Sequence, residues 1–270
     1  MRLVWILGLV FIGYTYICEE LPLHFLMEFI SPKRPYYELF ISTQTNESLS
    51  QFFHKKHPQA ILLEMKRELI PYIELKVKYS PKPLTTEEKM ALWSLHNGEM
   101  VVSTKTWQKT HGLGDCLRGK VGVEEMRLLK ELVRKRRPTS LDQLIKQTHT
   151  PEEMKQASLI VDRCLEKGLL IKKNSLLQIH IKQPKWPNKP FTDTNRSLSY
   201  APCDNFLAFR AQFSDKEIAR LMEVLFEDQQ LKVQSYRMIF VPIYLMMFEQ
   251  KGERKTIYLN GLTGSVYDLN

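Results

Sequence analysis

From Ile70 to Tyr79 the chain reads IPYIELKVKY, in which Ile73, Leu75, Val77 and Tyr79 alternate with Glu74, Lys76 and Lys78. A period of two predicts a strand with one face in a core. YYELFIS, residues 36–42, is expected to form another. Four Ser or Thr residues are followed three positions later by Glu or Gln: Thr85/Glu88, Ser140/Gln143, Thr150/Glu153 and Ser214/Glu217. This capping-box spacing satisfies free amides at a helix start. The first box predicts a helix from about Thr86 to Asn97, stopped at Gly98. Next, EEMRLLKELVRKRR sets Met126, Leu129 and Val133 on one helical face with Leu128 and Leu132 beside it, and Pro138 ends the run. TSLDQLIKQT predicts a short second helix with Leu141, Leu144 and Ile145 turned inward. A third opens at Thr150 with Pro151 in its first turn, buries Met154, Ala157, Ile160, Val161 and Leu165, and ends at Gly168. Leu169 to Ile171, the turn KKNS and Leu176 to Ile181 then predict a two-stranded hairpin.

Residues 183–204 carry Pro184, Pro187, Pro190 and Pro202, a density that excludes a regular helix and marks a linker. In FSDKEIARLMEVLFEDQQ, Ile218, Leu221, Met222, Leu225 and Phe226 form one stripe of an amphipathic helix. VQSYRMIFVPIYLMMFEQ, KGERKTIYLN and SVYDLN follow as strands, separated at Lys251-Gly252 and at Gly261 to Gly264. Pro242 predicts an edge strand or a bulge. The expectation is an α+β chain: a hydrophobic signal or anchor segment at 1–20, a mixed α/β domain at 31–120, a three-helix domain with a β-wing at 122–182, a Pro-rich linker at 183–204, and a C-terminal helix plus antiparallel β-meander at 205–270.

Three helices and a wing over 122–182, with the phrase CLEKGLLIKK at the helix-to-wing junction, resemble the winged-helix family of helix-turn-helix domains. The ending YLNGLTGSVYDLN after a helix and strands is similar to PepSY-like half-modules, covering about 213–270. The second resemblance implies a small binding or regulatory module. The first implies a third helix offered to the DNA major groove, where Arg, Lys, Asn or Gln would contact base edges and phosphates. Here that helix opens with Glu152 and Glu153, which suit the helix dipole and repel phosphate. The face that follows mixes Lys155, Gln156, Arg163 and Lys167 with Asp162 and Glu166. Specific base reading is therefore not expected. Positive charge gathers instead at Arg134, Lys135, Arg136 and Arg137 and at Lys172 and Lys173, six candidates for nonspecific grip on a phosphate backbone. Residues 122–182 hold 13 Lys+Arg against 8 Asp+Glu, and the whole chain of 270 residues is at +9. Such a balance favours anionic partners without selecting among nucleic acid, anionic lipid and acidic protein.

The uncharged run Leu3 to Cys18, LVWILGLVFIGYTYIC, lies between Arg2 and Glu19-Glu20. As a helix it reaches roughly 24 Å, short of a hydrocarbon core of roughly 30 Å. It fits a signal h-region or a short anchor, and the bulky Tyr16 and Ile17 argue against cleavage. The alternative is a pair of buried strands. An anchor would make the protein membrane-associated or exported; a core strand pair would leave it cytoplasmic.

WQKTHGLGDC, Trp107 to Cys116, brings a thiol, an imidazole and a carboxylate close in sequence: Cys116, His111 and Asp115. These are the types a cysteine nucleophile needs. Gly112 and Gly114 suggest a tight turn instead, with Trp107 packed and the three side chains diverging. A metal would need His54 and His57 to complete a set with His111 and Cys116 from afar. Cys18, Cys116, Cys164 and Cys203 form no CxxC. Thus no catalytic residue, metal or cofactor is assigned. The expected function is non-enzymatic: an adaptor with a protein partner, a possible membrane contact through residues 3–18, and nonspecific nucleic-acid contact as the alternative.

Overall fold

Two strands of 19 residues, β2 (Ile61–Tyr79) and β10 (Lys232–Gln250), run antiparallel along almost their whole length and form the spine of the fold. A computed structural model describes residues 37–40, 46–135, 137–145, 150–181, 183–194, 199–202 and 209–267. In chain order its elements are β1 (Tyr37–Phe40), α1 (Asn46–Lys56), β2, β3 (Glu87–Ser94), β4 (Met100–Ser103), β5 (Gln108–Lys109), α2 (Leu113–Arg118), α3 (Val123–Lys135), β6 (Thr139–Ser140), α4 (Leu141–Ile145), α5 (Pro151–Glu166), β7 (Leu170–Lys173), β8 (Leu176–Ile179), β9 (Ser199–Pro202), α6 (Asp215–Leu225), β10 and β11 (Glu253–Asn260). The main sheet has the order β5-β4-β3-β2-β10-β1-β9, with β11 also on β10. β1 pairs parallel to β10 and antiparallel to β9.

Ile70 faces Val241, Pro71 faces Phe240 and Pro242 faces Leu69, so a local twofold axis passes through the middle of the β2–β10 ladder. Both strands carry proline at their eleventh position. The carbonyl of each accepts from the residue that follows the neighbouring strand: Leu95 N to Pro71 O at 3.0 Å, and Gly261 N to Pro242 O at 2.8 Å. A proline lacks the amide a ladder needs. Here each missing amide falls where a neighbouring ladder stops. Pro242 accordingly lies inside the sheet at the point where β1 gives way to β11, and marks neither an edge nor a bulge; the register shifts are at Val233/Ser235 and Met247/Phe248.

Residues directly opposite in an antiparallel pair point to the same face. Tyr236 and Met238 of β10, opposite Leu75 and Ile73, meet the core that holds Ile218, Leu221, Met222 and Leu225 of α6. Tyr244, Met246 and Phe248 meet Leu49 and Phe53 of α1. The even-numbered positions of β10 thus place both helices on one face. Ile70, Tyr72, Ile239, Val241 and Ile243 pack on the other with Trp107, Leu262 and Tyr267. The order of helix, long strand and short antiparallel strand occurs twice, once on each side of the axis.

The helix expected over 86–97 is a strand, β3. Thr85 bonds back to the Lys82 carbonyl at 2.8 Å instead of capping a helix. Ala91 and Trp93 enter one core and Leu92 the other, so the second half of the strand is apolar on both sides and its period is hidden. The other three capping boxes are formed.

Residues 123–179 run α3-β6-α4-α5-β7-β8, with a small sheet ordered β6-β8-β7. The hairpin turns on Asn174 and Ser175, both at positive φ, as a tight two-residue turn demands. Met126, Leu129, Leu132, Val161, Cys164 and Leu177 belong to the same core as Trp93 and α6. Ion pairs from Arg127 to Glu227 at 3.0 Å and from Lys130 to Asp228 at 3.3 Å join α3 to the turn after α6. The Pro-rich segment is fastened too. Thr192 accepts from Leu92 N and donates to Val101 O, and Lys185 exchanges backbone bonds with His111. Residues 3–18 lie outside the described residues; among those described, no helix is long and apolar enough to cross a membrane.

Candidate functional site

α5 begins with the reciprocal bonds of Thr150 and Glu153 and has Pro151 in its first turn. Both features fix its start. Only Val161 and Cys164 are fully buried on it. Met154, expected in the core, is 43% exposed, and Leu159 is 55% exposed. Ile171 and Leu176 of the adjacent hairpin are also exposed. The first half of the helix therefore shows water an acidic turn, Glu152 and Glu153, together with apolar side chains.

Two cations at the end of the helix, Arg163 and the C-cap Lys167, pair with a buried carboxylate. Lys167 Nζ lies 2.7 Å from the Glu125 carboxylate and Arg163 Nε lies 3.5 Å away. Glu125, on α3, is buried and also accepts from Gly122 N at 2.8 Å. Burial opposes its charge, but Lys167, the Gly122 amide and Arg163 outweigh it and hold the pKa below the usual glutamate value. Of Lys155, Gln156, Arg163 and Lys167, the residues on that face able to donate to phosphate, Arg163 and Lys167 are thus bonded within the protein.

The six basic candidates are dispersed in role. Arg134 is exposed at the end of α3. Lys135 is half-buried and pairs with Glu131 at 2.6 Å. Arg136 lies outside the described residues. Arg137 contributes to a groove of about 390 Å³ lined by Leu132, Val133, Pro138, Leu177 and Ile179. Lys172 pairs with the buried Leu177 and Lys173 with the exposed Leu176. Successive residues on a strand point to opposite faces, so the two lysines leave the hairpin on different sides.

Around Trp107–Cys116 the organising group is Glu99, a residue the sequence did not single out. Its carboxylate accepts from Thr110 Oγ1 at 2.7 Å, Gly112 N at 2.8 Å, Gly114 N at 3.2 Å and Leu113 N at 3.4 Å. Gly112 has φ +92, and a Cβ there would sit 2.3 Å from Ile181. Burial raises the Glu99 pKa, and the four donors recover only part of the shift. Cys116 is fully buried, and its thiol pKa is pushed up by desolvation first and then by the charges of Glu99 and Asp115. A thiolate is thus disfavoured at Cys116. Asp115 is bonded to Arg118 at 2.6 Å, and His111 is exposed. Trp107 is packed, as expected, and its Nε1 donates to Tyr72 Oη at 3.2 Å.

Another buried carboxylate, Glu74, is paired across the sheet with an exposed arginine. Arg237 makes a two-pronged bond to Glu74, at 2.8 and 3.1 Å, and lies 4.1 Å from the Tyr200 ring centroid. Tyr200 donates to Glu74, and burial followed by that carboxylate pushes its pKa up to about 12. His57 packs against both Phe53 and Phe248 rather than joining His111. Among the described residues no group of three or more His, Cys, Asp or Glu could hold a metal ion. No protein-family model, curated protein or solved structure matches the chain.

Proposed function

We propose that this protein is a non-enzymatic, membrane-associated or exported adaptor that holds a protein partner against α5 and the β7–β8 hairpin, a winged-helix-like segment used for protein binding. The observation that carries this reading is the division of α5: Met154 and Leu159 face solvent beside Glu152 and Glu153, whereas Arg163 and Lys167 are committed to Glu125. Exposed apolar groups contribute to a protein interface through burial, while a phosphate-binding surface needs available cations. The apolar run at residues 3–18 supplies the membrane or export address.

A photocrosslinking residue at Leu159 in the full chain, made in its own cells, tests the surface. The expected product is a discrete protein adduct in the membrane or exported fraction, absent when the crosslinker replaces the solvent-facing Lys232. Substitution of Met154 by Ser should then weaken the adduct without unfolding the chain. Adducts with nucleic acid from a soluble cytoplasmic fraction would instead establish the alternative, phosphate contact through Arg134, Lys135, Arg136, Arg137, Lys172 and Lys173.

A further inference from the structure

Strand β8 is flanked by β6 only at Leu176 and Leu177, which stand opposite Ser140 and Thr139. Before Thr139 the chain turns off into α3, which ends at Lys135, and the groove of about 390 Å³ opens there. Leu132 and Val133 of α3, Pro138, Ile179 and Ile181 give it apolar walls. Arg137 is the only charged residue among those lining it; it is exposed and makes no ion pair among the described residues. An apolar groove of this size with a few convergent polar groups has the character of a ligand site.

The backbone of β8 supplies the other polar groups. His180 N donates to Leu169 O at 2.9 Å, which continues the β7–β8 ladder and directs the even-numbered residues of β8 toward β7. With a period of two, the amides and carbonyls of Leu177 and Ile179 point the other way. Leu177 meets Thr139 there. Ile179 has no bonded partner on that side among the described residues. An incoming extended chain can therefore pair with Ile179, but it cannot run on past it, because Thr139 already holds the position opposite Leu177. What enters must end at Ile179, and charge selects which end. A parallel chain would bring its ammonium group to Arg137. An antiparallel chain brings its carboxylate, which can accept from Ile179 N and from the Arg137 guanidinium while the last amide donates to Ile179 O. Residues directly opposite point to the same face, so the last side chain lies with that of Ile179, which packs on the core holding Leu132 and Leu177. We propose that this groove binds the free C-terminus of a partner protein, its last residue apolar and paired antiparallel with Ile179, its carboxylate held by Arg137. The site uses neither Met154 nor Leu159, so its failure would leave the α5 surface standing, and the failure of that surface would leave this one.

Selection of short random peptides with a free carboxyl end on the immobilised full chain tests it, with the same library amidated at the C-terminus as the counterpart. The expected result is a set of binders that end in an apolar residue and come from the free-acid library. Amidation of a selected peptide should raise its Kd about tenfold or more, because it removes the charge that Arg137 meets. Arg137→Gln should raise the Kd of the free acid by about the same factor and make binding indifferent to amidation, with Arg137→Lys recovering part of the loss. Ile179→Pro removes the amide that faces the groove while leaving the bonds of Gln178 and His180 to β7, and should raise the Kd about tenfold as well. If that variant does not fold, Arg137→Gln decides alone, since Arg137 is exposed. No binder with a Kd below about 1 mM, or binders drawn equally from the amidated library, overturns the proposal. So does decanoate binding at Arg137 where no peptide binds, which would make the occupant a small carboxylate.

Discussion

Glu99 and Glu125 are both buried carboxylates, with 8% and 3% of their surface exposed, and each fastens one stretch of chain to another. Their surroundings differ in kind. Glu99 meets dipoles only: the Thr110 hydroxyl and the amides of Gly112, Leu113 and Gly114. Glu125 meets the Gly122 amide and two cations, Lys167 and Arg163. Desolvation prevails at the first and raises its pKa, whereas the ion pairs prevail at the second and lower it. Glu99 is thus an acceptor that shapes a turn and gains little from being charged. Glu125 is a charge that joins α3 to α5 and pairs with two cations that remain in reach of water. Burial of a carboxylate does not by itself indicate chemistry; the nature of its partners decides what it does.

The largest expected break in this comparison is Glu99→Ala. It leaves a buried hydroxyl and at least two buried amides without an acceptor, at about 1–3 kcal/mol for each unsatisfied group. With partial relaxation the loss should be about 4 kcal/mol. Urea unfolding followed by tryptophan fluorescence measures it. Trp93 lies at the same turn and donates to Gly98 O at 2.6 Å, so its emission should move with the transition. A loss under about 1 kcal/mol would mean that the turn holds without its acceptor.

Glu125→Ala should cost less, about 2 kcal/mol, because the partners it abandons can reach water. The side chains of Arg163 and Lys167 are 53% and 29% exposed. The same urea titration gives the figure, and an effect larger than that of Glu99→Ala would reverse the ranking proposed for the two sites.

The pH dependence should separate the sites by sign. Glu99 has a folded pKa above its unfolded value, so the folded state holds the proton more tightly. Its contribution is greatest below the ordinary glutamate value and declines as pH rises toward the raised folded pKa. Glu125 has a depressed folded pKa; its contribution is complete above the ordinary value and is lost as pH falls through the folded one. Stability measured from acid to neutral pH should therefore lose part of its acid-side slope in Glu125→Gln and part of any decline above the ordinary glutamate value in Glu99→Gln. Parallel curves for the two variants would show that the carboxylates do not titrate in opposite senses.

Neither site was legible in the sequence, and the reason differs. Glu99 follows Gly98 and precedes Met100 and Val101, and nothing local shows that its acceptors are needed eleven to fifteen residues later. Glu125 stands three residues after Gly122, whose amide it caps, but its cations come from a helix some forty residues on. The helical segment was far more legible. The Thr150/Glu153 and Ser140/Gln143 boxes, Pro138 and the Asn174-Ser175 turn are local signals, and local bonds realise them. Met154 was misread because its position in the helical period suits a core, whereas the packing partner that would cover it is absent among the described residues. β3 was misread as a helix because both faces of its second half, Ala91 to Ser94, are buried. The twofold relation between β2 and β10 stayed hidden because only the shared proline survives in the letters; the correspondence lies in the register.

The smallest expected effect is the sharpest test of what Glu99 does. Glutamine keeps one carbonyl oxygen and replaces the other with an NH₂ donor. With the carbonyl placed toward Gly112 and Gly114, both short amide bonds survive. The NH₂ then faces Thr110, whose hydroxyl oxygen already accepts from Met100 N at 2.8 Å and retains a second lone pair. The longest contact, from Leu113 N at 3.4 Å, is opposed, and the Thr110 hydroxyl proton must turn from the carboxylate it donates to. Protonated Glu99 would make the same pattern, with its own O–H directed at Thr110, which is why an environment that raises the pKa is also one that accepts the amide. Glu99→Gln should therefore cost no more than about 1 kcal/mol at neutral pH. It should leave the Trp93 emission maximum unchanged. A cost near that of Glu99→Ala would show that the turn requires a charge, and would place Glu99 in the same category as Glu125.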